Sequence, residues 1–263
     1  MNQILTYIKR DGIKIFSRKI LFKILVFLRL NRFLKIKLYG KYFALEDTDL
    51  TYQLFANKKY KDSEYAIYKK YITPEMVCVD VGANIGLMTL MFLGLAESGI
   101  VHSFEPSERM YKILKKNLGL NSIKNCITYN VALGRAEGNA KFDETVTDDT
   151  TFRMSATGSK SVVQKRLDTI FTDTAVIDFM KIDVEGYEME VLLGGVETLK
   201  KTKLLFIEFI TDNQESTEHS PAELIELLNK NFSVYALNSD LREVPFVYSK
   251  NQTYQTDLLC RLR

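Results

Sequence analysis

Short apolar runs alternate with segments of helical periodicity along most of this chain. Five mainly apolar runs predict buried strands: residues 77–81, 100–104, 126–133, 178–184 and 204–210. Apolar positions recur at helical spacing between and after them, in residues 63–71, 87–95, 110–120, 187–200 and 221–231. Late strands are predicted at 232–237 and 257–263, and two antiparallel strands near 140–142 and 161–166. The alternation predicts an α/β domain whose mostly parallel sheet carries helices on both faces.

The first forty residues follow a different pattern. They are densely apolar but carry ten basic side chains and one acidic one, a formal charge of +9, whereas residues 41–263 carry 26 basic and 32 acidic ones, a charge of −6. Lysines interrupt the apolar residues, so no run reaches the roughly 18–20 residues that a membrane-spanning helix needs, and no signal-peptide cleavage site is expected.

We therefore divide the chain into a basic, apolar N-terminal helical segment, residues 1–40, and a main domain, residues 41–263. Two interpretations of the segment stay open at this point. It could lie as an amphipathic helix on an anionic membrane surface, or it could pack on the domain with its lysines in water. The expected location is the cytoplasm, at most peripheral at the inner face of the membrane.

The turn after the first core strand has an unusual composition. Asp80 ends the apolar run, and Gly82, Asn84 and Gly86 follow in a Gly-x-Asn-x-Gly pattern. Glycine and asparagine tolerate left-handed backbone angles, which suits a tight turn close to a ligand at the carboxyl end of a strand. A pyrophosphate-binding turn would need Gly-x-Gly-x-x-Gly, and Asp80 would repel an anion.

A second acid follows about 25 residues later. Glu105, before Pro106, comes directly after the apolar run 100–104, where a carboxylate can accept hydrogen bonds from both hydroxyls of a ribose. Acids at the ends of two successive strands suit S-adenosylmethionine, which has a cationic head and a free ribose.

Several segments in the same order resemble the FkbM family of S-adenosylmethionine-dependent methyltransferases. They are residues 79–86, 103–106, 130–134, 166–170 and 180–188, and the last includes Lys-Ile-Asp-Val-Glu-Gly-Tyr-Glu beginning at Lys181. The resemblance covers about residues 41–263. It implies a Rossmann-like class I methyltransferase fold, with a seven-stranded, mostly parallel sheet and an antiparallel last strand. It also implies methylation of a hydroxyl on a sugar or natural product.

The cofactor and acceptor should meet where the middle strands end. We expect these residues to bind S-adenosylmethionine: Asp80, Gly82, Asn84, Gly86, Glu105, Pro106, Asn130, Val131, Ala132 and Asp183. Candidate catalytic residues are Asp183, which could orient the acceptor or act as its base, and Glu185, Glu208 and His219. Glu185 could instead cap the following helix. A metal bound by Asp183, Glu208 and His219 is conceivable, but the spacing does not select one, and we predict none.

The predicted function is O-methylation of a hydroxyl-bearing acceptor, a sugar, glycan or related small molecule. One alternative is a catalytically silent module that keeps the fold and joins a glycan-synthesis assembly. Another is a nucleic-acid methyltransferase, because the basic segment could bind phosphates. The acidic main domain and the absence of an Asn/Asp-Pro-Pro-Tyr/Phe motif argue against nucleic acid as the partner.

Overall fold

A computed structural model describes residues 2–143, 153–154, 160–211 and 219–263; for residues 2–11, 142–143 and 153–154 it describes the backbone only. Its main sheet has eight strands in the order β13-β12-β14-β11-β10-β3-β4-β5. Their bounds are β3 Val77–Val81, β4 Ile100–Phe104, β5 Cys126–Tyr129, β10 Ile177–Ile182, β11 Thr202–Ile210, β12 Phe232–Leu237, β13 Glu243–Pro245 and β14 Gln255–Leu262.

The sheet confirms the predicted Rossmann-like α/β architecture. Strands β5, β4, β3, β10 and β11 are parallel, and β14, the last strand, lies antiparallel between β11 and β12. The short strand β13 is an addition to the seven strands expected; it pairs with the outer edge of β12. The chain leaves β3 towards β5 on one side and returns to β10 on the other, which places the topological switch point between β3 and β10.

Helices cover both faces of the sheet. Their bounds are α2 Asp49–Ala56, α3 Asp62–Tyr71, α4 Leu87–Leu95, α5 Glu108–Leu120, α6 Leu167–Ile170, α7 Glu188–Leu193, α8 Val196–Leu199 and α9 Pro221–Asn231. Successive residues of β10 point into two separate cores on opposite faces of the sheet. Phe179 packs with Tyr68 and Phe92 on one face, and Met180 packs with Phe171 on the other. The continuous apolar run of this strand is explained by burial on both faces.

Two predicted elements are divided in the structure. The strand expected at 126–133 ends at Tyr129, and Ala132–Leu133 forms β6 in a second sheet with β9 Lys160–Lys165, β7 Gly138–Asp143 and β8 Arg153–Met154. Strands β7 and β9 are antiparallel, as predicted for this excursion. The helix expected at 187–200 is two short helices separated by Gly194 and Gly195. Gly194 lies so close to residue 134 that a Cβ on it would be 2.0 Å from the Gly134 carbonyl oxygen, so this position requires glycine.

The N-terminal segment contains a helix and part of a hairpin. Helix α1, Asn2–Phe27, has a non-helical residue at Gly12, and β1 Lys35–Leu38 pairs antiparallel with β2 Lys41–Ala44. The boundary predicted at residue 40 therefore falls in the turn of this hairpin, and residues 35–38 are strand rather than helix. Across the part of the chain that the structure describes, no helix combines the length and apolarity required to cross a membrane.

One buried side chain links this hairpin to the main sheet. Asn117 of α5 accepts a hydrogen bond from the Ala44 amide and donates one to the Ile85 carbonyl oxygen, both at 2.8 Å. The two bonds satisfy both ends of the side-chain amide, so Asn117 fixes β2 against the turn that follows β3.

Candidate active site

The carboxyl ends of β3, β4, β10 and β11 surround one pocket. It encloses about 290 Å³, near the lower limit for small-molecule sites. Nine of the predicted site residues line it: Gly82, Asn84, Glu105, Pro106, Val131, Ala132, Asp183, Glu185 and Glu208. Its position at the switch point is where α/β sheets of this type bind ligands.

In the turn after β3, the backbone amides of residues 82–86 all donate hydrogen bonds within the protein. The N–H groups of Gly82 and Ala83 both donate to the Phe104 carbonyl oxygen, at 3.0 and 2.9 Å. Those of residues 84, 85 and 86 donate to a Glu105 carboxylate oxygen, the Asn84 side chain and the Ala83 carbonyl oxygen. A phosphate-binding turn instead points its amides at the ligand. This turn is therefore unsuited to a pyrophosphate, as the sequence indicated.

Gly82 is required by the close approach of two strand ends. Its φ is +84°, and a Cβ there would lie 1.9 Å from the Asp183 carbonyl oxygen. The Asp183 amide in turn donates to the Val81 carbonyl oxygen at 3.1 Å. Asn84 also adopts a left-handed conformation, with φ 49°. Gly82 and Asn84 thus adopt the left-handed backbone conformations that the Gly-x-Asn-x-Gly pattern predicted.

Glu105 is buried at the side of the pocket. One carboxylate oxygen accepts from the Asn84 amide at 2.7 Å and the other from the Ser107 amide at 2.8 Å. Burial raises the pKa of Glu105 to about 7; the two amide bonds oppose this rise, and the Asp80 carboxylate adds to it. Each oxygen keeps a lone pair for a further donor, so Glu105 can accept hydroxyls from a ligand while it holds the turn.

Three carboxylates converge at the opposite end of the pocket. Oxygens of Asp183, Glu185 and Glu208 lie within 4.8 Å of one another, a spacing at which they could also ligate one divalent cation. Burial, and then the charges of Asp183 and Glu185, raise the pKa of Glu208 to about 9. Burial and the neighbouring carboxylates therefore favour the protonated form of Glu208. The absence of a metal stays a prediction.

Lys181 stabilises this acidic cluster from below. Its ammonium donates to Asp183 at 2.7 Å and is almost fully buried. Burial alone would lower the pKa of Lys181. The nearby Asp183, Tyr68 and Asp80 together outweigh burial and raise the pKa above its ordinary value, so the side chain stays charged. The ion pair holds the Asp183 carboxylate in place beside Glu208 and Glu185 at the strand ends.

The turn after β10 is held by a glutamate other than the one considered in the sequence analysis. Glu188 accepts hydrogen bonds from the amides of Val184 and Gly186, both at 3.1 Å. Glu185 instead has φ 54°, a left-handed conformation uncommon for a residue with a Cβ, and lines the pocket. Strained backbone of this kind concentrates at functional sites.

Four predicted site residues do not line the pocket. Asp80 is fully buried beneath the turn, where it accepts from Thr89 at 2.6 Å; its second oxygen has no hydrogen-bond partner among the described residues. Gly86 packs against α5, with space for no Cβ beside Leu114. These two residues shape the turn from below.

The other two lie to the sides. Asn130 donates to the carbonyl oxygens of Glu105 and Pro106, which anchors the residues around the pocket and ends β5. His219 lies 3.2 Å from Glu190 and 3.1 Å from Arg135. The expectation that His219 shares the site of Glu208 is wrong for this structure, because His219 lies beside Glu190 of α7 and does not line the pocket.

The pocket also contains residues that the sequence analysis did not propose. Leu50, Tyr60 and Lys61 come from α2 and the α2–α3 connection and lie across the strand ends. They precede the first core strand and carry no motif, so no signal in the sequence pointed to them. With them, the described lining has four carboxylates and two ammonium groups, and an apolar wall that includes Phe104 and Val131.

The strand order, the switch-point pocket and the glycine turn define a class I methyltransferase fold of the Rossmann-like type. Residues 80–234 match the family model described as Methyltransferase FkbM domain. This match covers more than half of the chain, and the chain therefore belongs to the FkbM methyltransferase domain family.

Among individual proteins, the chain is 27% identical over 157 residues to the 2-O-methyltransferase NoeI of Sinorhizobium fredii, a match covering 52% of this chain and 64% of NoeI. The chain spans less than two thirds of the length of the curated relatives it matches. It is also similar to the solved structure of methyltransferase FkbM from Methylobacillus flagellatus, with 17% identity, TM-score 0.46, and coverage of 81% and 55% of the two chains. It is likewise similar to the solved structure of SMU.1697c from Streptococcus mutans, in complex with SAH. Here the identity is 12%, the TM-score 0.47, and the coverage 76% of this chain and 97% of that chain.

Proposed function

We propose that the protein transfers a methyl group from S-adenosylmethionine to a hydroxyl of a sugar, a glycan or a related small molecule. The observation that carries this proposal is the combination of a turn with no free amide and a pocket whose described lining has four acidic side chains against two ammonium groups. This combination disfavours a phosphate-bearing cofactor and favours a nucleoside that carries a positive charge.

The described residues fit such a cofactor. Gly82 allows close approach beside Asp183, Glu105 can accept the ribose hydroxyls, and Phe104 and Val131 offer an apolar wall for a flat base. When bound, S-adenosylmethionine supplies an electrophilic methyl group on a sulfonium. The acidic end of the pocket favours that positive charge over a neutral or anionic head.

The acidic cluster is suited to prepare a hydroxyl nucleophile. Asp183, held in place by Lys181, accepts the proton of the acceptor hydroxyl. Glu208, whose pKa is raised by burial and by the neighbouring carboxylates, donates a hydrogen bond that orients the acceptor or Asp183. Leu50, Tyr60 and Lys61 complete the described lining of the pocket. Alignment of the nucleophile is a large part of catalysis for an in-line displacement.

A hydroxyl acceptor has independent support from the relative NoeI, whose name specifies 2-O-methylation. A nucleic-acid acceptor is disfavoured by the carboxylates, which would repel phosphates near the site. A catalytically silent module is disfavoured because both a cofactor pocket and a candidate base are present.

Transfer of labelled methyl from S-adenosylmethionine into small-molecule, lipid, glycan, nucleic-acid and protein fractions tests the proposal. We expect label in the glycan or small-molecule fraction, and none with Gly82→Ala, whose Cβ would meet the Asp183 carbonyl. Gly119→Ala is the matched control, because nothing lies within 4 Å of its Cβ position.

Calorimetry with S-adenosylhomocysteine separates the alternatives. Binding without transfer to any fraction would favour the silent module, and label in RNA or DNA would favour nucleic-acid methylation. Absence of binding by a folded protein would overturn the cofactor assignment itself.

A further inference from the structure

Helix α1 packs on the domain by one face and leaves an apolar face in solvent. On the packed face, the buried ring of Phe22 lies 5.5 Å from Tyr52 and 5.6 Å from Phe55 of α2. This much agrees with a helix that is part of the fold. Away from this contact, six large apolar side chains are exposed along α1 and at the residue after it: Ile13, Ile20, Leu21, Ile24, Phe27 and Leu28.

Four of these exposed side chains form a stripe along one face of α1. At 100° per residue, Ile13, Ile20, Ile24 and Phe27 fall within about 60° of one another, nearly opposite Phe22. Single exposed apolar residues are ordinary, but a contiguous stripe along several turns indicates a surface that is covered in use. The packed face already accounts for the contact with the domain, so the stripe needs another occupant.

The charges around the stripe specify that occupant. Lys14 and Lys23 are exposed and border the stripe on its two sides, and Arg29 and Arg32 follow its end. No acidic residue occurs from residue 12 to residue 45. Lysine and arginine beside an apolar face can keep their charged ends in the headgroup layer while the apolar residues enter the acyl boundary. A second copy of this chain would bring the same positive charge to the contact.

We propose that the stripe of α1 docks on the surface of an anionic lipid bilayer, with the helix in the plane of the membrane. The apolar side chains enter the interface, and the flanking cations bind acidic headgroups. Each cation close to such a surface strengthens binding by about fivefold at low salt, and this contribution fades as salt screens it. Apolar contact and charge are both required.

The test is sedimentation of the full-length protein with vesicles, at low and high salt. One set of vesicles is phosphatidylcholine alone and the other an equal mixture of phosphatidylcholine and phosphatidylglycerol. The variant Ile24→Asp/Phe27→Asp places two charges in the stripe. Its control, Ile127→Asp/Val247→Asp, changes residues of matched exposure elsewhere: 46% and 81%, against 47% and 85% in the stripe.

We expect the wild type and the control to bind the anionic vesicles at low salt and to leave them at high salt. The stripe variant should bind at least about tenfold more weakly, because two apolar side chains are lost from the interface. All three proteins should have similar thermal midpoints. Failure of the wild type to bind, equal binding to neutral vesicles, or equal loss in variant and control would each overturn the proposal.

Light scattering resolves the remaining case. A wild type that ignores vesicles but forms a dimer, which the stripe variant dissociates, would show that a second copy covers the stripe and the membrane does not.

Discussion

The pocket and helix α1 handle polar and apolar groups in opposite ways. At the pocket, charged side chains such as Lys181 and Glu105 are buried, and each is held by specific hydrogen bonds. On α1, large apolar side chains such as Phe27 are exposed beside lysines. Either arrangement costs free energy in an isolated soluble domain. Each arrangement therefore supports the role proposed for it: binding of a small polar ligand at the pocket, and docking on a bilayer surface at α1.

The largest predicted difference is between substitutions on the two faces of α1, in their effect on the free energy of unfolding. Phe22 is 3% exposed and Phe27 is 85% exposed. Phe22→Ala should lower the free energy of unfolding by about 3–5 kcal/mol, the usual result of removing a buried aromatic ring. Phe27→Ala should change it by no more than about 0.5 kcal/mol. Urea denaturation of both variants measures the difference; similar losses would mean that the exposed face is also packed in solution.

The next largest effect concerns the chemistry of the pocket. Asp183→Asn should lower the rate of methyl transfer by about 10² or more, because the amide cannot take a proton. Affinity for S-adenosylhomocysteine should change much less. The control is Asp178→Asn at the other end of β10, where Asp178 pairs with Lys203 at 2.7 Å.

Rates are measured with the identified acceptor, with and without EDTA and added Mg²⁺. Equal turnover by wild type and Asp183→Asn would exclude Asp183 as the base. Loss of wild-type activity in EDTA, restored by Mg²⁺, would instead assign the three carboxylates to a cation.

A smaller effect is expected at Glu105. Glu105→Gln should weaken cofactor binding about tenfold, through loss of a charge-assisted hydrogen bond. It should also lower the thermal midpoint, because one of the two amides it now satisfies would face an NH₂ group. Glu188→Gln is the control, since Glu188 also accepts two backbone amides but does not line the pocket. Calorimetry that finds equal affinity losses in both variants would remove the ribose assignment.

The smallest effect is a dependence of cofactor affinity on pH. The pKa of Glu105 in the folded protein is about 7, above its ordinary value, so both its ionised and its protonated forms are populated near neutral pH. Ribose hydroxyls need the ionised form as acceptor. Affinity should therefore fall as pH drops through 7 and rise above it, by less than about tenfold between pH 6 and 8. A titration of Glu105→Gln should be flat over this range.

The sequence predicted the parts of the fold that burial and turn chemistry dictate. The runs ending at Val81 and Ile182 are buried on both faces of the sheet, and the helix at 221–231 was found at its observed bounds. The glycine turn was identified because few residues tolerate its backbone angles. These features depend on local pattern, which a single sequence contains.

Features set by distant contacts were not predictable. The run 126–133 divides because Asn130 bonds to two carbonyl oxygens beyond β4, and the helix at 187–200 divides where Gly194 meets Gly134. Tyr60 reaches the pocket only through the course of the chain before β3. Nor could periodicity alone show that α1 is apolar on two opposite faces, one packed on α2 and one exposed.

Asn117 connects the two contrasted regions through its hydrogen bonds, so ligand binding at one can be thermodynamically linked to binding at the other. Its amide holds the hairpin that follows α1 at one end and the turn below the cofactor pocket at the other. Any effect that bilayer contact has on cofactor affinity through this link must be matched by an equal effect of the cofactor on bilayer affinity. The factor by which each ligand changes the other would be one number, measurable from either side, and Asn117→Ala would bring it towards one.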